Sequence, residues 1–163
     1  MNYPKLEVLL KSKPQAMAKI KGSLIYPEIV GEAWFYQTPY GVLVMADVEG
    51  LPKQVDECRN PIFAFHIHKG RSCTGNYEDL FADAGMHYNP KNCPHPYHAG
   101  DLPPLFGANG NAFMAVLSNR FDVEEVIGRT IIIHSQVDDF TTQPSGNAGI
   151  KMACGVIEKF EKD

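Results

Sequence analysis

At 163 residues, with 44% hydrophobic and 21% charged side chains, the chain has the size and balance of one soluble domain with its own core. A formal net charge of −4 excludes the basic surface that non-specific nucleic-acid binding needs, but not a small anionic substrate, because local fields steer ligands. No apolar run approaches the roughly 18 residues that span a bilayer, so no membrane partner is expected.

The opening MNYPKLEVLLKSKPQ carries only the short apolar patch LEVLL, broken by Glu7 and followed by lysines. That is not the composition of a secretory signal, and the expected compartment is cytoplasmic, with export left open if a leader is removed. Residues 1–14 read as a tail or an extra edge segment, and residues 15–163 as the domain. QAMAKIKG, GEAWFYQ and GVLVMADVEG are short alternating or apolar runs bounded by Gly or Pro, and PIFAFHIHKG is a fourth. From Gly70 to about Pro104 the period is lost, and Gly, Pro, Asn, Asp and Cys dominate. A structureless stretch longer than roughly 15 residues inside a domain is usually functional. GNAFMAVLSN and GRTIIIHSQ restore strand character, and a second irregular segment, Gln136 to Lys151, precedes the run MACGVIEKF. Many short strands, frequent turns and almost no helical periodicity predict an all-β antiparallel sandwich or barrel.

Six histidines, His66, His68, His87, His95, His98 and His134, are confined to two strand termini and the loop between them. A lone histidine usually has no ligand role, but this confinement weakens that reading. In FHIH the side-chain period of two puts His66 and His68 on one face. Imidazole suits Zn, Cu, Fe and Ni. The loop offers His87, His95, His98 and Asp101, adequate for tetrahedral zinc, and the strands offer His66, His68 and His134. Seven donors are too many for one tetrahedral ion and enough for two; a loop histidine using both ring nitrogens would give each ion four ligands. The cysteines Cys58, Cys73, Cys93 and Cys154 permit three full pairings, and spacing cannot choose among them. A reducing cytosol favours free thiols or metal ligands.

In order, FHIH, GMHYNP, HAGDL, GRTIIIHSQVDD and GNAGIKMACGVI resemble the copper/zinc superoxide dismutases, over a span from about Gln15 to Ile157. The resemblance implies an eight-stranded Greek-key barrel or sandwich, immunoglobulin-like, with two long functional loops. It also implies an oxidoreductase that converts superoxide to dioxygen and hydrogen peroxide by Cu(II)/Cu(I) cycling beside a structural zinc. His66, His68 and His134 would hold copper, and His87 would bridge copper to zinc and act in catalysis. His95, His98 and Asp101 would complete the zinc site. Asp138 would hydrogen-bond a copper-ligand and a zinc-ligand histidine, and Cys73 and Cys154 would form a disulfide. Cys58 and Cys93 have no such counterpart.

Three departures stand out. Where the family usually has arginine, two residues before ACG, this chain has Lys151, which keeps the charge but loses the planar fork; reduced rather than absent activity is expected. The loop from Ser135 to Ile150 is uncharged apart from Asp138 and Asp139, so steering of superoxide should be weaker. Only Pro96 and Tyr97 separate His95 from His98, which compresses the zinc loop. One rival is a metal-binding member of the same fold with weak or no dismutase activity. Another is a sandwich interaction module with pH-sensing histidines, a role that needs neither Asp101 nor Asp138. A homodimer is left open.

Overall fold

Period-two alternation decides which side chains fill the interior and which look outward. The computed structural model describes residues 13–53, 56, 58 and 61–161. Its strands are β1 (Ala16–Gly22), β2 (Val30–Thr38), β3 (Gly41–Glu49), β4 (Ile62–His68), β5 (Asp101–Phe106), β6 (Ala112–Ser118), β7 (Thr130–His134) and β8 (Lys151–Lys159). They form one antiparallel sheet in the order β5-β4-β7-β8-β1-β2-β3-β6. The two end strands, β5 and β6, approach each other, so the sheet curls into a nearly closed barrel. One helical turn, α1 (Val123–Val126), seats Val123 and Val126 on the core between β6 and β7.

Each of the seven runs read as strands is a strand. The eighth, β5, corrects the reading of residues 70–104 as wholly irregular. Its sequence, DLPPLF, hides the strand because Pro103 and Pro104 remove two backbone donors. An end strand with one hydrogen-bonded neighbour tolerates this, and Leu102 and Leu105 still bury their side chains. Of the segment 1–14, only residues 13 and 14 are described, neither in a strand; the remainder of that reading lies outside the described residues.

On β4, Phe63, Phe65 and Ile67 enter the barrel core beside Ile131 and Ile133 of β7 and Met152 and Ile157 of β8. The opposite parity, Ala64, His66 and His68 on β4 with Ile132 and His134 on β7, therefore faces outward. These positions are nonetheless buried: His66 is 0%, His68 2% and His134 4% exposed. Segments 69–100 and 135–150 cover this outer wall. A second apolar cluster of Phe81, Ala84, Ile132 and Cys154, with Cys73 packed against it, fastens the first of them. A disulfide joins Cys73 to Cys154 of β8, with Cα atoms 5.7 Å apart, which bears out the pairing the family resemblance implied. Cys58 is exposed and Cys93 half-buried, both as free thiols.

The bridge spans a sequence separation of 81 residues. A double substitution, Cys73→Ser with Cys154→Ser, should therefore lower unfolding stability by about 4 kcal/mol on loop-closure entropy. Urea unfolding of the two proteins at matched metal content measures this.

Candidate metal centre

Backbone pairing carries the loop histidines to the strand ends. An isolated antiparallel bridge sets His87 opposite His68. Tyr88 N–H donates to the Ile67 carbonyl (2.8 Å) and Lys69 N–H to the Met86 carbonyl (2.8 Å). Gly100 N–H donates to the Tyr88 carbonyl and Ile67 N–H to the Gly100 carbonyl, each at 2.9 Å, so the segment ending in His98 and Asp101 returns to the same place. The result is two groups sharing one residue: His66, His68, His87 and His134, and His87, His95, His98 and Asp101. Within each group the candidate ligand atoms lie within 4.8 Å of one another, and every member is buried. All the residues singled out as ligands are brought together; Cys93 belongs to neither group.

The hydrogen bonds fix which nitrogen of each ring is free. A carbonyl or carboxylate facing a ring nitrogen can only accept, so we assign the proton to that nitrogen. His68 Nδ1 donates to the Gly85 carbonyl (2.7 Å) and His134 Nδ1 to the Gly149 carbonyl (3.4 Å). Their Nε2 atoms then carry lone pairs, yet face each other at 3.2 Å. His66 Nε2 donates to Asp138 Oδ2 (2.8 Å), leaving its Nδ1 buried without a partner. His87 Nε2 is buried without a partner as well. Four converging acceptors with no donor between them are unfavourable unless a cation sits among them.

In the second group a carboxylate joins the converging rings. His87 Nδ1 lies 2.7 Å from Asp101 Oδ1, and His98 Nδ1 lies 3.3 Å from both His87 Nδ1 and Asp101 Oδ1. His95 Nδ1 is 3.0 Å from Asp101 Oδ2 but makes no hydrogen bond to it, the relation expected of two ligands of one ion. The outer nitrogen of His95, Nε2, donates to Asp138 Oδ1 (2.8 Å). Asp138 thus spans the two groups through His66 and His95, and accepts the Phe140 N–H (2.8 Å) besides. Such an outer partner fixes ring orientation and tautomer. The compressed spacing of His95 and His98 is accommodated by a turn closed by Tyr97 N–H to the Pro94 carbonyl (2.9 Å). Their ring centroids end 5.5 Å apart.

Three supporting residues carry no signal in the sequence. Arg120 Nη1 donates to the carbonyls of Pro96 (2.9 Å), His98 (3.2 Å) and Asp101 (3.3 Å), gathering the zinc-side turn from outside. Gln143 pairs with the backbone of His95 in both directions, at 3.0 and 2.7 Å. Gly146, at φ +69°, passes so close that a Cβ there would lie 1.9 Å from Asp138 Oδ1 and 2.6 Å from His95 Nε2. Apart from that of Gly146 with Asp138, each contact joins segments far apart in the chain.

Over the first group lies a cavity of about 340 Å³ whose wall includes His68, His87, His134, Lys151, Asp79 and Glu78. Lys151 reaches this cavity, but its ammonium is bound to Asp79 Oδ2 (2.5 Å) and the Phe81 carbonyl (3.1 Å). Asp139 spends its charge locally, on the hydroxyl and N–H groups of Thr142 and Thr141, which hold its carboxyl down at about 2. The cavity is therefore poor in free positive charge.

A model of the copper/zinc superoxide dismutase (SODC) family matches residues 29–157. The chain belongs to this family. It is 35% identical over 140 residues to a Cu-Zn superoxide dismutase of Legionella pneumophila, covering 81% of this chain and 80% of that one. It is 32% identical over 145 residues to Cu-Zn superoxide dismutase 2 of Aquifex aeolicus, covering 80% of each. The fold matches the Cu/Zn superoxide dismutase from Brucella abortus with a TM-score of 0.73 and 26% identity, covering 88% of this chain and 99% of that chain. The family's metals are copper and zinc, and both groups fit them: an all-imidazole set suits copper, and three imidazoles with one carboxylate suit tetrahedral zinc.

Burial, above all, lowers the basicity of the copper-side rings: His66 falls to about 4 despite its Asp138 hydrogen bond, and His68 and His134 fall well below the usual histidine range. Burial opposes ionisation of Asp101 and Asp138, but hydrogen bonds from His87 to the former and His66 to the latter, together with the other histidines facing them and the Phe140 N–H on Asp138, outweigh it and lower both. The sign follows: the unfolded chain takes up protons on these groups before the folded chain does. Their contribution is complete above about pH 6.5, and is lost first by the histidines between there and about 4, then by the carboxylates below. Metal-free protein should thus lose roughly 1.4 kcal/mol per pH unit for each of His66, His68 and His134 over that window. Urea midpoints from pH 7 to 4.5 measure it, and a flat profile would contradict the burial. Replacing Asp138 with Asn should weaken zinc binding about 10- to 100-fold and also perturb the copper-side ring of His66, read by competition with a chelator.

Proposed function

We propose that this chain is a superoxide dismutase. Copper would be held by His66, His68, His87 and His134, and zinc by His87, His95, His98 and Asp101. The observation that carries the reading is the position of His87: its Nε2 is buried without a protein partner on the side of His66, His68 and His134, while its Nδ1 lies against Asp101 and His98. One ring serving two groups is what a dismutase of this family requires and what a purely structural metal site does not.

When bound, copper supplies a one-electron couple that superoxide can reduce and reoxidise in turn, and zinc supplies a redox-silent positive charge on the His87 ring. The residues do the rest. Gly85 and Gly149 carbonyls and the Asp138 carboxylate hold the rings of His68, His134 and His66 with their unprotonated nitrogens converging. His87 Nε2, facing the group at the cavity wall, takes up a proton in one half of the cycle and gives it up in the other. Because His87 Nδ1 stays engaged with the Asp101 side, the ring cannot swing away while protonated, and Nε2 returns to the same place. Over a full turn two superoxide ions and two protons become dioxygen and hydrogen peroxide. Lys151 lies on the same wall, its ammonium paired with Asp79.

Protein loaded with both metals should consume superoxide well above its spontaneous rate in pulse radiolysis or stopped flow. Loaded protein that leaves that rate unchanged would sink the proposal. Changing His87 to Ala should cut the rate by about 10²-fold or more while copper stays bound through the other three histidines. Metal content and superoxide decay, measured on the same sample, check both halves of that expectation.

A further inference from the structure

Among the described residues, and apart from its imidazoles, the wall of the 340 Å³ cavity carries three charged side chains: Glu78, Asp79 and Lys151. Two are acidic, an unusual lining for a site that takes an anion. Lys151 is held rather than loose: its side chain is 14% exposed and its ammonium is bound to Asp79 Oδ2 at 2.5 Å. Asp79 is fixed in turn, because its N–H donates to Asn76 Oδ1 (3.0 Å) and its Oδ1 accepts the Phe81 N–H (3.0 Å). Both partners are therefore in place before any ligand arrives, which removes the ordering cost that makes most exposed ion pairs weak.

From this geometry we infer that Asp79 sets the anion affinity of the copper-side cavity by neutralising Lys151. The field of a close ion pair dies away much faster with distance than that of a single charge, so Lys151 adds little attraction for an approaching anion. Lys151 has a second tether, the Phe81 carbonyl at 3.1 Å. Without the Asp79 carboxylate, the ammonium would stay near the cavity wall with its charge exposed to the ligand. Asp79 is thus a specificity-determining residue that keeps the site weakly attractive to small anions. It acts on charge and not on the metals, since it belongs to neither donor group. The inference rests on the proposed copper site beside His68, His87 and His134, but not on turnover.

The test is titration of metal-loaded protein with azide, a small anionic probe, followed by its charge-transfer absorption on copper. Changing Asp79 to Asn should tighten azide at least about threefold, and Asp79→Ala should do the same. Lys151→Met should abolish the gain: Asp79→Asn combined with Lys151→Met should bind azide no tighter than the parent, because both charges of the pair are then gone. A merely structural Asp79 would give unchanged or weaker binding in the Asn and Ala variants at full metal content, and that result overturns the inference. Salt gives a second check. The azide affinity of the parent should fall between low and physiological ionic strength no more steeply than that of the double variant, because a paired ammonium adds little field of its own. A steeper loss in the parent than in the double variant would mean that Lys151 acts as a free charge, and would also overturn the inference. Failure of the functional reading is separate: it would show as azide-binding, copper-loaded parent that leaves superoxide to decay spontaneously.

Discussion

Everything in this molecule depends on nitrogen lone pairs that the fold brings together and cannot itself satisfy. His66 Nδ1, His87 Nε2 and His95 Nδ1 are buried without hydrogen-bond partners, and His68 Nε2 faces His134 Nε2. An unsatisfied buried acceptor costs about 1–3 kcal/mol, so several in one small volume are tolerable only if a cation takes them as ligands. The protein makes that outcome specific by occupying the other nitrogen of each copper-side ring. Carbonyls of Gly85 and Gly149 and the carboxylate of Asp138 leave one free atom per ring, aimed inward.

Rigidity comes from the barrel and enclosure from the loops. Period-two alternation on β4 and β7 puts Phe63, Phe65, Ile67, Ile131 and Ile133 inside and the histidines on the outer wall, where strand pairing fixes their backbones. The two covering segments then bury the site; the first contributes His87, His95 and His98, and Asp101 opens β5. They are tied down at separate points: the Cys73–Cys154 disulfide with the Phe81 cluster, the Arg120 contacts to three carbonyls, and Asp138, which belongs to one segment and orients a ring carried by the other. Asp138 reaches both groups, so the two metal sites share a hydrogen-bond partner as well as a ring.

The electrostatic character is distinct from the ligand chemistry. Asp139 is used by its own turn, and Lys151 is paired with Asp79, so little unbalanced positive charge faces the cavity. Net charge could not reveal this. A lysine counts the same in the composition whether its ammonium meets a carboxylate or a ligand.

Read alone, the sequence established the strands whose runs were apolar or alternating, because side-chain period is a local property. It also exposed the ligand inventory, because six histidines gathered near two strand ends are visible in the chain. β5 was not legible: Pro103 and Pro104 erase its local signature, and only its place at the end of the sheet makes the strand tolerable. Nor were Arg120, Gln143, Gly146 and the Asp79–Lys151 pair, each of which acts on a partner 22 or more residues away. The sequence could count donors, and its family resemblance could apportion them, but which ring nitrogen faces which group was left to the fold. That choice belongs to tertiary structure because it depends on where distant carbonyls and carboxylates arrive.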